Sequence, residues 1–221
     1  MRRNTTRLAT LVITVAALCL LLPAASFAST VFVNGSFEVD PATFSSIDPT
    51  GWVTGGRIDG PPYVVNNDTF GNTPYGNQFL ALGGIEDNAH SWVEQTVSGF
   101  TVGGTYDLTW AQSSEYTSAD QLHVSFTAGS LTPDQTFTSV PYPGGTLFWY
   151  TWQNMSMKFV PDATSVTFHF QGVPNSGSYE VGVDNFQVTL VAAPTPEPGT
   201  LMLLGTGLVS ICGGLRRRRK A

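Results

Sequence analysis

The stretch TYDLTWA at residues 105–111 alternates apolar and polar side chains, and this alternation indicates the fold. Tyr106, Leu108 and Trp110 share one parity, and polar residues occupy the positions between them. Successive side chains of a strand point to opposite faces of a sheet, so the pattern predicts a strand with one buried face. We therefore assign Trp110 to the core.

The same alternation recurs along the chain, with turn residues between the runs. Further runs are LHVSFTA, MSMKF and SVTFHF, which begin at residues 122, 155 and 165. Gly and Pro signals such as Gly103-Gly104 and Pro161-Asp162 separate them. Many short strands with regular turns predict an all-β, two-sheet antiparallel sandwich.

The last predicted strand, YEVGVDNFQVTLV at residues 179–191, contains an irregularity. The apolar set that ends at Val183 and the set that begins at Phe186 have opposite parities. If both sets face the core, the phase slips at Asp184-Asn185. A β-bulge there would re-aim the Asp184 side chain, although a sheet edge or a switch between sheets explains the slip equally well.

Charge and cysteine content exclude several function classes for residues 29–193. This segment holds two basic residues, Arg57 and Lys158, against fifteen acidic ones, a net charge of −13. Nucleic acid needs a basic surface, so it is excluded as a partner. The two cysteines, Cys19 and Cys212, lie outside the segment, which therefore has no disulfide, thiolate metal site or cysteine nucleophile.

The N-terminus has the composition of a secretory signal. Arg2 and Arg3 precede an apolar run from Leu8 to Leu22, and Ser26-Phe27-Ala28 places small residues where a signal peptidase cleaves. We predict a signal helix over residues 1–28, with cleavage after Ala28. Residues 29–193 then form one domain of ordinary size.

The C-terminal segment, residues 194–221, has three parts in a fixed order. A Pro196-Glu197-Pro198 tripeptide precedes a short apolar helix, and a basic block ends the chain at Arg216, Arg217, Arg218, Arg219 and Lys220. The helix, about fifteen residues long, spans roughly 22 Å, which is short for a permanent anchor. This arrangement closely resembles the PEP-CTERM sorting signal of Gram-negative bacteria that make exopolysaccharide.

The resemblance to that signal implies the protein's route out of the cell. An exosortase would cut near the tripeptide after the helix inserts transiently in the inner membrane. The mature protein would then lie on the cell surface or in the extracellular matrix. A simple tail anchor is the alternative interpretation.

Several stretches of the middle segment are similar to galactose-binding-like jelly rolls, which include many carbohydrate-binding modules. The stretches are VFVNGSFEVD, TPYGNQFLALGG, SWVEQTVSGFTVGGTYDLTWA, WQNMSMKFVPDATSVTFHFQG and VGVDNFQVTL, and together they cover nearly all of residues 30–190. In those modules an Asn-Gly-x-Phe-Glu motif lies at the first strand and a Gly-Trp follows, which assigns Trp52 to the core. The resemblance predicts a jelly-roll sandwich.

The same resemblance implies a structural calcium ion between the first and last strands. The matching carboxylates are Glu38 and Asp184, with Asn34, Asp40 and Asp59 as further possible ligands. Calcium prefers six to eight oxygen ligands, so two acids from opposite ends of the chain suit it. The alternative is that Glu38 and Asp184 are hydrogen-bonded residues at strand ends.

Aromatic rings are the predicted glycan contacts, because their faces stack on pyranose rings. The candidates are Tyr63, Tyr75, Trp92, Tyr116, Trp149, Tyr150 and Trp152. We predict ligand binding by Trp149, Tyr150, Trp152 and Trp92. The competing interpretation is that these rings fill the core.

Catalysis is the least favoured hypothesis. The sequence has no Gly-x-Ser-x-Gly elbow and no acidic glucanase run, and its three histidines match no metal-ligand spacing. We therefore predict a non-catalytic protein that binds exopolysaccharide or a cell-surface glycan. The alternative is an adhesive matrix protein with protein partners, and a glycoside-active enzyme ranks third.

Overall fold

The computed structural model describes residues 30–42, 48–56, 62–67, 71–83, 90–115, 119–127, 134–141, 149–173 and 180–194, together with position 207. The predicted signal helix lies outside these residues, and so does all but positions 194 and 207 of the predicted sorting segment. The described residues form ten strands, which are β1 Val53–Gly55, β2 Tyr63–Asn66, β3 Gln78–Gly83, β4 Trp92–Ser98, β5 Thr105–Ser114, β6 Gln121–Phe126, β7 Asp134–Thr138, β8 Gln153–Phe159, β9 Ser165–Val173 and β10 Glu180–Ala192.

The strands form two five-stranded antiparallel sheets packed face to face. Sheet I has the order β1-β4-β9-β6-β7, and sheet II has the order β2-β3-β10-β5-β8. Much of the chain crosses between sheets from one strand to the next, as at β4 to β5 and β8 to β9. The predicted all-β jelly-roll sandwich is confirmed.

Aromatic side chains dominate the core between the sheets. Trp52 and Trp110 are both buried, as the sequence predicts. Phe170 and Phe186 lie with their ring centroids 4.3 Å apart, which joins β9 of sheet I to β10 of sheet II. Such pairs contribute roughly 0.5–1.5 kcal/mol beyond the apolar area that they bury.

The Asn-Gly-x-Phe-Glu motif is predicted to lie in the first strand, but the structure has turns there. Residues 33–36 form turns, and Asn34 and Phe37 have positive φ angles of 51° and 57°. This conformation buries the Phe37 ring completely in the core. The turn also packs on the last strand, because the Phe186 amide donates to the Gly35 carbonyl at 2.9 Å.

The phase slip in the last strand is a β-bulge. The register between β10 and β5 shifts between Asp184 and Gln187, and Asn185 has a φ of 54°. Val183 before the bulge and Phe186 after it both reach the core. Asp184 alternates with Val183 and therefore lies on the outer face of sheet II, where the candidate site lies, and the bulge after it returns Phe186 to the core.

Candidate functional site

The outer face of sheet II is lined by small residues in its central strands. Ala81, Ala111 and Gly182 lie in adjacent strands β3, β5 and β10. Their size leaves room for chain segments to lie on the sheet. One of these segments is residues 71–77, here the Tyr75 loop, and the other runs from Trp149 to Trp152. The two touch where the Asn72 amide donates to the Trp149 carbonyl at 3.3 Å.

Trp149 is the centre of a second, smaller apolar cluster on this face. The ring is 2% exposed and packs edge-on against Phe79 with centroids 5.1 Å apart. Its indole N–H donates to the Glu180 carbonyl at 3.1 Å. A ring packed on all sides has no free face for a sugar, so the structure does not support the predicted ligand contact at Trp149.

The neighbouring aromatic residues differ in exposure. Tyr150 is 47% exposed, as a ligand-binding ring requires. Trp152 is half-buried, and its ring centroid lies 5.2 Å from that of Phe79. Its indole N–H is buried and has no hydrogen-bond partner among the described residues.

A cleft of about 430 Å³ lies on the same face, beside the Tyr75 loop. Its lining residues come from four parts of the chain and are Tyr75, Thr109, Trp110, Asn154, Met155, Ser156 and Asn185. The Tyr75 hydroxyl donates a hydrogen bond to the Asn154 side-chain oxygen, which holds the aromatic ring at the cleft wall. The cleft thus combines the Tyr75 ring and the buried Trp110 with several hydroxyl and amide groups.

The sequence does not indicate most of these cleft residues as site residues. In the sequence, Thr109 and Ser156 are only polar positions of alternating strands. In the structure they are cross-strand partners. Tyr75 is among the aromatic candidates, but without priority. The alternation indicates a solvent-facing side, and it contains no signal for which loops cover that side.

Three side chains anchor the Tyr75 loop to the sandwich. The Thr73 hydroxyl donates to Asp184 at 2.5 Å, and the Thr73 amide donates to the Asn67 side-chain oxygen at 2.8 Å. Glu38 accepts from the backbone amides of Asn77 and Gln78 at 2.7 and 2.8 Å. Both predicted calcium ligands therefore position the loop that forms the cleft wall.

The two carboxylates influence each other electrostatically. Burial raises the pKa of Asp184 to about 7, the hydrogen bonds from Thr73 and Asn185 oppose that shift, and the negative charge of Glu38 adds to it. The Gln78 side-chain oxygen is buried and has no donor among the described residues. Glu38 and Asp184 offer carboxylate oxygens, which are the type of ligand that calcium prefers. No group of three or more His, Cys, Asp or Glu residues in the described part of the chain is arranged to hold a metal.

A second acidic cluster consists of Glu115, Asp120 and Glu180. Burial raises the pKa of Glu115 to about 7, the Glu180 backbone amide opposes that shift, and the charge of Asp120 adds to it. Glu180 is itself buried and accepts a hydrogen bond from the Tyr63 hydroxyl. Raised carboxyl pKa values occur at catalytic sites, but Glu115 binds the Glu180 amide at 3.0 Å and so has a structural role.

Trp92 lies on the opposite side of the molecule from the other predicted rings. It is the first residue of β4, and its side chain is on the outer face of sheet I, next to His169. The structure therefore divides the four predicted ligand residues between two faces. The predicted sorting residues Pro196, Glu197, Pro198 and Arg216 to Arg219 lie outside the described residues.

Comparison with solved structures identifies the class of fold as the jelly roll of carbohydrate-binding modules. The module TmCBM61, solved in complex with beta-1,4-galactotriose, is 13% identical with a TM-score of 0.53, and the match covers 73% of this chain and 99% of that chain. The tandem CBM22-1–CBM22-2 domain of Paenibacillus barcinonensis Xyn10C is 16% identical with a TM-score of 0.50, and the match covers 80% of this chain and 50% of that chain.

A third match is to an enzyme. The enzymatically active domain of bacteriophage CBA120 tailspike protein 4 is 16% identical with a TM-score of 0.46, and the match covers 74% of this chain and 21% of that chain. The two matches described above, with TM-scores of 0.53 and 0.50, are both carbohydrate-binding modules. No curated protein sequence is significantly similar to the chain.

The C-terminal segment specifies the protein further. Residues 194–219 match the PEP-CTERM protein-sorting motif, which indicates export and sorting to the cell surface. The protein is thus an exported jelly-roll protein with a PEP-CTERM signal. In the described part of the chain, no helix has the length and hydropathy that crossing a membrane requires.

Proposed function

We propose that this protein is a non-catalytic, surface or matrix protein that binds extracellular polysaccharide in the Tyr75 cleft. The observation that carries the proposal is the cleft itself, in which the Tyr75 ring lies beside hydroxyl and amide side chains on the outer side of sheet II. Clefts with a few convergent polar groups are the usual form of small-ligand sites. The fold shared with carbohydrate-binding modules supports the same ligand class.

The chemistry of the cleft favours a neutral sugar. Thr109 and Ser156 offer hydroxyl groups, and Asn154 and Asn185 offer amides that both donate and accept hydrogen bonds. None of these groups is charged, and the domain has a net charge of −13, which disfavours acidic polysaccharides. The neighbour TmCBM61 was solved with beta-1,4-galactotriose, so β-linked pyranose polymers are the first probes.

Binding of the purified full chain to β-1,4-galactan, xylan and bacterial exopolysaccharide tests this proposal. We expect Tyr75→Ala to weaken binding at this cleft at least tenfold, because it removes the aromatic ring that the loop contributes to the cleft wall. Tyr75→Phe keeps the ring and loses the bond to Asn154, so it should have a smaller effect. Val102→Ala, at an exposed valine that does not line the cleft, serves as the control. An unchanged affinity together with an unchanged number of sugars bound per chain in Tyr75→Ala would exclude this cleft.

The other predicted ring contacts are tested in the same assay. Tyr150 and Trp152 remain proposals, because both have surface that is not packed in the core. We expect Tyr150→Ala to weaken binding less than Tyr75→Ala, since Tyr150 does not line the cleft. Release of reducing ends from any of these polymers would contradict the non-catalytic part of the proposal.

We further propose that exosortase processes the chain near Pro196-Glu197-Pro198 after transient insertion in the inner membrane. The motif match over residues 194–219 supports this step. Replacing the tripeptide by alanines should retain the protein in the membrane fraction, and mass spectrometry of the secreted form should show a C-terminus near the tripeptide. Secretion of an intact C-terminus would contradict processing.

A structural calcium ion at Glu38 and Asp184 is a separate proposal. The ion would relieve the repulsion between the two carboxylates and supply the positive charge that the site lacks. We expect calcium to raise the melting temperature of the wild type and chelator to lower it. The double variant Glu38→Gln, Asp184→Asn should show no such difference. A wild type insensitive to both conditions would contradict calcium binding.

A second candidate function is adhesion through protein contacts. Val31, Val33, Val39 and Val53 are each more than half exposed, and Val53 lies in β1 at the edge of sheet I. Exposed edge strands with apolar side chains pair readily with other chains. Self-association in sedimentation experiments without binding to any polysaccharide would favour this function.

A further inference from the structure

The outer face of sheet I contains a tryptophan among mostly polar side chains, with the exposed Val53 at its β1 edge. Cross-strand pairing places Trp92, Gln171 and His123 in one row across β4, β9 and β6. Glu94, His169 and Ser125 form the adjacent row. The solvated face of an antiparallel sheet is normally polar, so a tryptophan in this row requires an explanation.

The position of Trp92 depends on two glycines. Gly55 is its cross-strand partner in β1, and a side chain at Gly55 would begin 2.5 Å from the indole Cζ2 atom. Gly56 follows with a φ of +88°, a conformation that side chains rarely adopt. The indole therefore lies over the backbone of β1 and occupies the space of the missing side chain. Trp92 remains partly exposed in this position.

Polar groups surround the indole on its other side. The His169 ring centroid lies 5.0 Å from that of Trp92, tilted by 38°. The His169 Nδ1 atom lies 3.5 Å from a Glu94 carboxylate oxygen. Within the described residues, the Gln171 side-chain amide has no hydrogen-bond partner. Two residues before Trp92, the buried His90 Nδ1 atom also has no partner in that part of the chain.

This combination of groups has the chemistry of a sugar platform. A flat apolar ring stacks on the C–H face of a pyranose, while the amide, imidazole and carboxylate at its margin bind hydroxyl groups. The glutamate disfavours anionic sugars and phosphates, so the ligand class is a neutral sugar. Trp92, Glu94, His169 and Gln171 are each partly exposed, so a polysaccharide chain can lie across the strands on this face.

We propose that the Trp92 face, formed by Trp92, Glu94, His169 and Gln171, is a second binding site for neutral polysaccharide. Together with the Tyr75 cleft it gives one domain two sites on opposite outer faces of the sandwich. The sheets pack about 10 Å apart, so two polymer chains can bind at once without contact. A domain with two such sites cross-links polysaccharide. This cross-linking rests on the proposed function of the Tyr75 cleft.

The experiment compares the full-length wild type with Trp92→Ala, Gln171→Ala, Tyr75→Ala and the control Thr96→Ala. Thr96 lies on the same face of β4, and its hydroxyl bonds that of Thr167 at 2.7 Å, away from the indole. Calorimetry with β-1,4-galactotriose gives the number of sugars bound per chain. Turbidity of a β-1,4-galactan solution reports cross-linking, and circular dichroism checks the fold.

The proposal predicts two galactotriose molecules per wild-type chain and one per Trp92→Ala chain. Trp92→Ala and Tyr75→Ala should each abolish turbidity while both retain galactan binding, because cross-linking requires two sites. Gln171→Ala should weaken the second site severalfold, and it decides the matter if Trp92→Ala fails to fold. Thr96→Ala should behave as the wild type.

Two outcomes would overturn the second site. Binding of one sugar per chain that is lost in Tyr75→Ala and unchanged in Trp92→Ala would leave the proposed function and remove this inference. A change in self-association of Trp92→Ala with no change in sugar binding would make the face a protein contact. By contrast, one sugar per chain lost only in Trp92→Ala would support this face and exclude the Tyr75 cleft.

Discussion

On sheet I the outer face is open to solvent, whereas on sheet II the corresponding face is partly covered by the Tyr75 loop and the Trp149–Trp152 segment. The open face has hydroxyl pairs such as Thr96–Thr167 and Ser98–Ser165 at its surface. The covered face buries Trp149 and Phe79 in a second apolar cluster. The strands of both sheets begin from the same alternation, so the difference comes from the size of the outward-facing residues.

Small residues make the covered face possible. Gly182 is the clearest case, because a side chain there would begin 2.7 Å from the Trp149 Cδ1 atom. On sheet I, Gly55 has the same relation to Trp92 at 2.5 Å from Cζ2. The two positions differ in what lies beyond the indole: other protein groups at Trp149 and solvent at Trp92. This difference should appear in the free energy of unfolding of variants on the two faces.

The largest expected effect is at Trp149. Trp149→Ala removes the centre of the second apolar cluster and should lower the free energy of unfolding by about 3–5 kcal/mol. Urea denaturation measures this change. Tyr150→Ala is the matched control, because Tyr150 is 47% exposed and should change stability by about 0.5 kcal/mol or less. Equal effects of the two substitutions would show that the cluster does not stabilise the fold.

The two glycines provide the second test. Gly182→Ala should lower the free energy of unfolding by roughly 1–3 kcal/mol, because Trp149 is confined and cannot move away. Gly55→Ala should cost less, since the Trp92 ring can swing toward solvent. Thermal denaturation of both variants measures the difference. A larger loss in Gly55→Ala would contradict the distinction between the covered and the open face.

Glu115 gives the covered face a pH dependence. Its pKa is about 7 in the folded protein against 4.5 as its ordinary value, so the folded state binds the proton more tightly between these limits. Stability therefore falls as pH rises from about 5 to 7. In the wild type, the free energy of unfolding should fall by on the order of 1 kcal/mol across this pH range, and Glu115→Gln should remove this loss. Urea denaturation at pH 5 and pH 8 measures it, and an equally steep loss in the variant would exclude Glu115 as the cause.

The smallest effect is expected on the open face. Thr96→Val removes a hydroxyl pair at the surface of sheet I and places a good strand-forming residue there. The free energy of unfolding should change by about 0.5 kcal/mol or less. A loss comparable to that of Gly182→Ala would mean that the open face is covered by something in solution.

Much of the fold is predictable from the sequence because alternation is a local property. Five of the observed strands, β5, β6, β8, β9 and β10, coincide with the runs that indicate them. The bulge at Asp184-Asn185 is also indicated by the sequence. Val183 and Phe186 have opposite parities, so both can face the core only if the alternation slips between them. The N-terminal motif is predicted as a strand and forms turns instead, because the positive φ angles of Asn34 and Phe37 depend on contacts with β10.

The candidate site was less predictable than the fold. Aromatic composition indicates that rings are available, but it cannot separate Trp149, which is buried, from Tyr150, which is exposed one residue later. The Tyr75 cleft needs residues from the 71–77 loop and from β5, β8 and β10. No local pattern shows which loop lies on which face.

The sequence by itself determined that the chain is all-β, that it carries a sorting motif at its C-terminus and that its middle segment is strongly acidic. These properties follow from periodicity, charge and a contiguous motif, each of which is complete within the chain order. Tertiary structure alone decided that Trp92 faces away from Trp149 and that Tyr75 meets Asn154. Such contacts depend on crossovers between the sheets and on loop packing, which join residues far apart in the chain.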